Sequence, residues 1–397
     1  MKSSWLLWLI VAIIIYRQIV PLANLVKDFP LNDFSVYIDG TKASLNRQNP
    51  YAIKFFDRYN YPPAATLFFI PLAFLPINLS ELIFIIASIA SAWFSVSWTL
   101  AIINWKPSRP IKWLIFALSL KMFPVKLTLA LGQINLIILM LIVGSFYFCE
   151  GLVLRRKAEP FNILSGVLLG LAIVLKLTPA PILIYFLIRN KWKVIKWSTA
   201  TIAVLTAAGG IVFGWDLTRY YFVSVVPGLI GEVTRETVNA SYMNQSVTAL
   251  MARFGIFGNL NSAIRLGTSL AAGIIIINII RVIKDEEIIK KFRSFWSYTV
   301  IVMLILPVFV WQHHLAILVP SWLIIVYRAI RTKSWQWWVI AAATYLLLNF
   351  HIEDGNLVPE LPVILSSHFL FTSVFVGLAG FMAGFGPKLN QKSDLPK

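Results

Sequence analysis

Long apolar runs separated by short polar turns make up most of the chain. Residues 5–25, 81–104, 113–128, 134–153, 197–213, 263–283, 335–349 and 362–384 are predominantly apolar, and most approach the roughly 20 residues a helix needs to cross a bilayer. They lack the period-two alternation of a membrane barrel strand. Helices are the default, because backbone in lipid must satisfy its own hydrogen bonds. Shorter runs come in pairs: 161–175 with 179–188 meets at Lys176-Leu177-Thr178-Pro179, and 295–310 with 315–330 meets at Trp311-Gln312-His313-His314. The runs 113–128 and 134–153 join near Gly132-Gln133-Ile134-Asn135. Residues 62–78 are apolar but short, and Pro62, Pro63, Pro71 and Pro76 interrupt them. The pattern predicts an all-α polytopic membrane protein, with one transmembrane domain over 1–386 and a short basic tail over 387–397.

The polar stretches orient the helices. Basic residues cluster at 105–112, 155–157, 189–196, 284–293 and 328–333 and in the tail. Cytoplasmic loops carry such excess. With these turns inside, the loops at about 26–62 and 214–262 fall outside, as do the hairpin tips GQIN, KLTP and WQHH. The parity closes only if one segment does not cross, and 62–78 is the candidate for a re-entrant or interfacial piece. About twelve crossings result. Letting 62–78 cross instead puts 105–112 outside, against the charge rule. In the first outer loop, FSVYIDGTKASL reads as a short amphipathic helix on the membrane surface, with Asn32 or Asp33 near its N-terminus. Asn49-Pro50-Tyr51 reads as the turn that ends it.

Composition narrows the class further. The chain is 58% hydrophobic and 13% charged, whereas soluble domains are about a quarter charged. A net charge of +18 would suggest nucleic acid in a soluble protein. Here the cations sit in loops between membrane segments, where they set topology and meet anionic lipid headgroups, so no nucleic-acid partner is expected. One cysteine, Cys149, excludes an internal disulfide and a cysteine-built metal site. Residues 1–22 lack a small-residue cleavage site and read as a retained first helix. No GxxxxGK[ST] motif marks a nucleotide loop.

The candidate chemistry collects on the outer side: Asp33, Tyr61, Gln133, Asn135, Lys176, Gln245, His313 and His314. Ionisable residues near a membrane interior are costly and are functional candidates by default. Each also has a plainer reading. Lys176 snorkels to the interface, or it is a point charge for a phosphate at a helix junction. The histidines cap or line the interface, or they hydrogen-bond a phosphate. Being adjacent, they point to different faces and do not make a zinc pair. Asp33 caps the surface helix, or it does proton chemistry beside a headgroup. Four of the 17 acidic residues, Asp28, Asp33, Asp39 and Asp57, lie in this loop. Gln133 and Asn135 are interhelical glue, or they line the site. Tyr37, Tyr61 and Trp311 are aromatic-belt anchors, or they belong to the cavity.

In order, DFSVY, NPY, YPPAATLFFIPLAFLP, LGQINLIILML, GVLLGLAIVLKLTPAPILI, NQS and LPVFVWQHHLAILVPSWL resemble glycosyltransferase family 87. This GT-C-type membrane family includes polyprenol-phosphate-mannose-dependent α-mannosyltransferases. The resemblance covers about residues 5 to 330, and KLTPA and WQHH are its most specific blocks. It implies a GT-C-type fold and a lipid-linked sugar donor used on the extracytoplasmic side, with neither metal nor cofactor. It also implies a catalytic-base aspartate in the first outer loop, which Asp33 of DFSVY matches, and a histidine after the tryptophan-containing turn, matched by His313 or His314.

Together these readings lead to an expectation. The chain moves a hexose, mannose by the resemblance, from a polyprenyl phosphate to an extracytoplasmic lipid or glycan acceptor at the plasma membrane. Asp33 acts as general base and the reaction inverts the sugar. Lys176, His313, His314, Gln133, Asn135, Tyr61 and Gln245 bind the donor phosphate and sugar. The competing reading is a transporter of lipids or polyisoprenoid-linked glycans, which would also need cations in an outward cavity. A transporter would show inverted repeats and charges on both sides of the bilayer; the sequence shows no repeat, and its unusual polar residues fall on one side.

Overall fold

The computed structural model describes residues 4–28, 31–53, 59–150, 159–231, 241–256, 259, 262, 264–270, 272–273, 276, 288–352 and 362–383. Among the described residues the protein is helical, with one isolated β-bridge between Asn244 and Trp311 and no strand. In chain order the helices are α1 (Ser4–Asp28), α2 (Asn32–Leu45), α3 (Pro63–Thr66), α4 (Ile70–Ala73), α5 (Ile77–Ile102), α6 (Arg109–Lys121), α7 (Phe123–Leu131) and α8 (Asn135–Cys149). Then follow α9 (Glu159–Leu175), α10 (Ile182–Ile188), α11 (Trp192–Phe213), α12 (Trp215–Tyr220), α13 (Val226–Gly231) and α14 (Val247–Arg253). The last are α15 (Ile288–Val300), α16 (Val319–Thr332), α17 (Trp335–Asn349), α18 (Val363–Ser366) and α19 (His368–Met382). A π-helical turn, Ile301–Ile305, extends α15, and a 3₁₀ segment, Gln312–Leu318, leads into α16.

Among the described residues, three stretches are long and apolar enough to cross a membrane unbroken: α5, α11 and Gln312–Thr332. A fourth results if α6 and α7, bent by 69° at their junction, count as one span. Trp5–Arg17, α8, Phe161–Leu175 and α19 are apolar but shorter. The expected count of about twelve crossings therefore meets three or four full-length spans among the described residues. Proline explains much of the shortening. The expected single helix over 113–128 breaks at Met122, whose backbone is extended (ψ 131°). Within a continuous helix, Pro124 would lack its hydrogen bond and press on the carbonyl of Leu120. It sits instead in the first turn of α7, where no bond is lost. Likewise 62–78 folds as two single-turn helices, with Pro62 and Pro76 as N-caps and Pro63 and Pro71 in first turns.

Two packing features place the site. In α9, Gly166 and Gly170 lie four residues apart against α11, where an added Cβ would stand 2.6 Å from the Cβ atoms of Trp197 and Thr201 respectively. This small-xxx-small contact draws the two backbones together, and α9 ends at Leu175, one residue before Lys176. The short helix expected in the first loop forms as α2. It buries Phe34, Val36, Tyr37, Ile38 and Gly40 against α3, α4 and α7, and leaves Asp39 exposed. Several expectations lie outside the described residues: Asp57, the 155–157 cluster, residues 232–240 of the second outer loop, the 284–287 part of the charged turn, most of the 263–283 helix and the tail.

Candidate active site

The site grows from the turn between α7 and α8. The Gln133 N–H bonds the Thr128 carbonyl at 2.9 Å, and the Gly132 N–H bonds that of Leu129 at 3.2 Å. This is a Schellman closure, which needs a left-handed residue just past the helix. Gly132 supplies it with φ +67°. Its missing side chain matters a second time, because a Cβ there would stand 2.6 Å from the Phe34 Cβ. The start of α2 lies directly on this turn, and the Leu31 N–H donates to the Ala130 carbonyl at 3.1 Å. Leu31, at φ 48°, is the N-cap of α2 and no side chain caps the helix. Asp33 is thus in the first turn without capping it, where the helix dipole favours a carboxylate.

Asp33 is half-buried. The Gln133 Nε2 donates to its Oδ2 at 2.6 Å, and the Gln133 Oε1 accepts from the Tyr37 hydroxyl at 2.9 Å. The Tyr37 and Tyr61 hydroxyls are 3.0 Å apart. Burial first, and then neighbouring charge that includes Asp33, raises both phenols above their ordinary range. They remain protonated donors.

Two residues along the same turn, Asn135 serves the cation. Lys176, at the end of α9, donates from Nζ to the Asn135 Oδ1 at 3.1 Å and to the His314 Nε2 at 2.9 Å. A lysine ammonium only donates, so this ring nitrogen is an acceptor. The Asn135 Nδ2 in turn donates to the His313 carbonyl at 3.3 Å, which also accepts from the Thr128 hydroxyl at 3.1 Å. The His313 ring is buried, stands against that of His314 with centroids 4.7 Å apart, and its Nε2 has no partner among the described residues. Burial lowers the pKa of Lys176, in the turn between α9 and α10, to about 8, and the charge of Asp33 pulls it back upward. Carboxylate and cation therefore feel one another across the turn. A small pocket opens here. Lys176, Asn135, Thr178 and His314 form its polar side, and Ile138, Met303, Leu304 and Ile317 its apolar side. Leu304 and Met303 come from the π-helical turn.

Asp33, Gln133, Tyr61, Asn135, Lys176 and His314 are thus linked within one constellation, and His313 joins it through its carbonyl. Gln245 lies elsewhere. Its Nε2 donates to the carbonyls of Tyr242 (2.6 Å) and Ser366 (2.8 Å), and its Oε1 accepts from the Phe369 N–H at 3.2 Å. Its neighbour Asn244 accepts from the Val310 N–H at 3.2 Å, so this tripeptide braces the backbone leading to Gln312. Sequence reasoning missed Thr128 altogether and gave Thr178 no role of its own. It set Tyr37 down as one aromatic among several. The available signal for Tyr37 was its spacing, four residues after Asp33 on one helix face.

Among the described residues, one turn of a helical membrane protein thus gathers a carboxylate on one side and a lysine with an imidazole on the other, beside a half-apolar pocket. The chain belongs to glycosyltransferase family 87, whose profile matches residues 59–307. That range contains Gln133, Asn135 and Lys176; Asp33, His313 and His314 lie beyond its ends. One relative is the polyprenol-phosphate-mannose-dependent alpha-(1-2)-phosphatidylinositol mannoside mannosyltransferase of Mycolicibacterium smegmatis, 29% identical over 50% of this chain and 44% of the relative. Another, from the same organism, is the polyprenol-phosphate-mannose-dependent alpha-(1-2)-phosphatidylinositol pentamannoside mannosyltransferase, 26% identical over 77% of this chain and 73% of the relative. A Mycobacterium tuberculosis protein with the first of these names is 30% identical over 41% of this chain and 39% of its own length. The chain thus spans less than half of the first relative and about three quarters of the second. No solved structure matches it significantly.

Proposed function

We propose that the protein transfers a mannosyl group from a polyprenyl phosphate to the hydroxyl of a lipid or glycan acceptor, at the extracytoplasmic face of the plasma membrane. The observation that carries this reading is the GQIN turn: Gln133 holds a carboxylate and Asn135, two residues on, holds a lysine. A polyprenyl-phosphate sugar has a phosphate next to the reacting carbon and an apolar chain beyond it. The phosphate meets Lys176, with the imidazole of His314 and the Asn135 amide beside it, and the first isoprene units lie along Ile138 and Met303. The acceptor oxygen attacks the anomeric carbon from the Asp33 side. As the new carbon–oxygen bond forms, Asp33 takes the acceptor proton, the bond from the anomeric carbon to the phosphate oxygen breaks, and polyprenyl phosphate leaves with both electrons. A single displacement inverts the sugar carbon. Lys176 stabilises the charge that grows on the leaving phosphate, and Asp33 supplies general-base catalysis. The names of the relatives favour mannose and a phosphatidylinositol-type acceptor.

The test is transfer itself. Purified protein in nanodiscs, given radiolabelled polyprenyl-phosphate mannose and a lipid extract, should release polyprenyl phosphate and label an acceptor. Absence of both products, with donor flipped across vesicles instead, would favour the transporter.

A further inference from the structure

We propose that Thr178 binds the donor, its hydroxyl donating to the phosphate that Lys176 attracts. The inference rests on the donor phosphate meeting Lys176. Four residues form the polar side of the pocket, and three of them are engaged with one another. The Asn135 Oδ1 and the His314 Nε2 both accept from the Lys176 ammonium, and the Asn135 Nδ2 donates to the His313 carbonyl. Thr178 is the exception. It is half-buried, and its hydroxyl bonds no other group among the described residues. Helical threonines in this chain behave differently: Thr41, Thr128, Thr201 and Thr332 each donate to the carbonyl four residues earlier. Thr178 lacks that outlet, because α9 ends at Leu175 and the backbone has left the helical path. Its N–H has no backbone acceptor either among the described residues.

The free capacity of the pocket is therefore donating. An ammonium has three N–H bonds; Asn135 and His314 take two of those of Lys176, and the third is left beside the Thr178 O–H. Spare donors suit an anion. A sugar hydroxyl needs acceptors too, and the two nearest the cation already hold Lys176. The apolar side, Ile138, Met303, Leu304 and Ile317, points to the same part of the ligand, the junction of a phosphate with its hydrocarbon chain. The two residues divide the work. Lys176 supplies charge with little direction. Thr178, with one stiff, β-branched torsion, supplies direction. Its bond to a charged oxygen is of the strong kind, and it strengthens as the phosphate leaves and gathers charge.

The test is binding of two probes to purified protein in nanodiscs: polyprenyl phosphate, and polyprenol, which has the chain without the phosphate. Thr178→Val keeps the β-branched shape and removes the hydroxyl. It should weaken polyprenyl phosphate about tenfold, the loss typical of a hydrogen bond to a charged group, and leave polyprenol within about twofold. Thr178→Ser restores a hydroxyl without the methyl group and should recover most of the affinity. Wild-type affinity for polyprenyl phosphate in Thr178→Val would overturn the proposal. So would an equal loss for polyprenol, or a Thr178→Ser as weak as Thr178→Val, since either traces the effect to packing of the methyl group. Lys176→Ala run alongside separates the levels. If it weakens polyprenyl phosphate while Thr178→Val does not, only the role of Thr178 falls; if wild-type protein binds polyprenyl phosphate no better than polyprenol, the phosphate reading falls and Thr178 with it.

Discussion

The two ends of α8 carry the same kinds of charge and treat them oppositely. At its N-terminal end Asn135 accepts from Lys176, whose second partner is the ring of His314, and the neighbouring carboxylate, Asp33, accepts from the Gln133 amide. Past its C-terminal end, about 22 Å away at 1.5 Å per residue, Glu150 pairs directly with two lysines. Lys191 stands at 3.5 Å from one of its carboxylate oxygens and Lys291 at 3.4 Å from the other. At that end opposite charges neutralise one another and tie α8 to the starts of α11 and α15. At the Asn135 end neutral amides and an imidazole stand beside the charges, and a pocket opens next to them. The lesson is that an ion pair holds helices together, whereas a cation resting on neutral partners remains able to exchange them for an anionic ligand.

The comparison breaks most visibly at Asp33. Asp33→Asn keeps the shape of the side chain but not its ability to take a proton, and the transfer rate should fall by about two to four orders of magnitude, measured at equal membrane abundance. Asp39→Asn is the matched control. Asp39 is exposed on the same helix, and its loss should change the rate less than about twofold, as for most surface changes. A dead Asp39→Asn beside an active Asp33→Asn would move the base to Asp39.

A pH titration sharpens the same contrast with a middling effect. Lys176 has its pKa lowered from 10.5 to about 8 by burial. Its ammonium, the form that attracts phosphate, is lost as pH rises through that value, so apparent donor affinity should weaken above about pH 8 by roughly tenfold per unit. The bound phosphate restores the charged form, so kcat at saturating donor should hold to higher pH. Because the folded lysine gives up its proton more readily than the unfolded one, its contribution to stability should increase between these two pKa values. A donor KM that stays flat from pH 7 to 10 would contradict this.

The smallest effect on transfer belongs to the far end of α8. Glu150→Gln leaves two lysines without their counter-charge near a mostly buried position, where the Glu150 side chain is 11% exposed. The thermal midpoint in detergent should drop, in line with a loss of about 1–3 kcal/mol for a partly buried pair. The kcat of the folded fraction should stay within about twofold.

Much of this was legible in the sequence, and for identifiable reasons. The tips GQIN, KLTP and WQHH stand out as polar residues between apolar runs, and the structure brings the three tips together at Asn135, Lys176 and His314. The apolar pattern likewise marks α5 and α11. What parity does not say is which way a side chain faces once it arrives. Gln245 is as polar as Gln133, yet it bonds the carbonyls of Tyr242 and Ser366 and braces backbone. Tyr37 reads as one more aromatic in an amphipathic helix, because its bond to Gln133 reaches a residue 96 positions away. The 69° bend between α6 and α7 was written in Pro124, but a run of apolar residues conceals a break unless proline is weighed against helix continuity.

The central claim is that the cation at the Asn135 end is reserved for a phosphate and the cations at the Glu150 end are not. It is tested most directly by the affinity of purified protein in nanodiscs for polyprenyl phosphate alone, without sugar, at pH 7. Lys176→Ala should weaken binding by about 10- to 100-fold, as for loss of a charge-assisted hydrogen bond, and Lys191→Ala should leave it unchanged. Binding that survives Lys176→Ala and falls with Lys191→Ala would contradict the account.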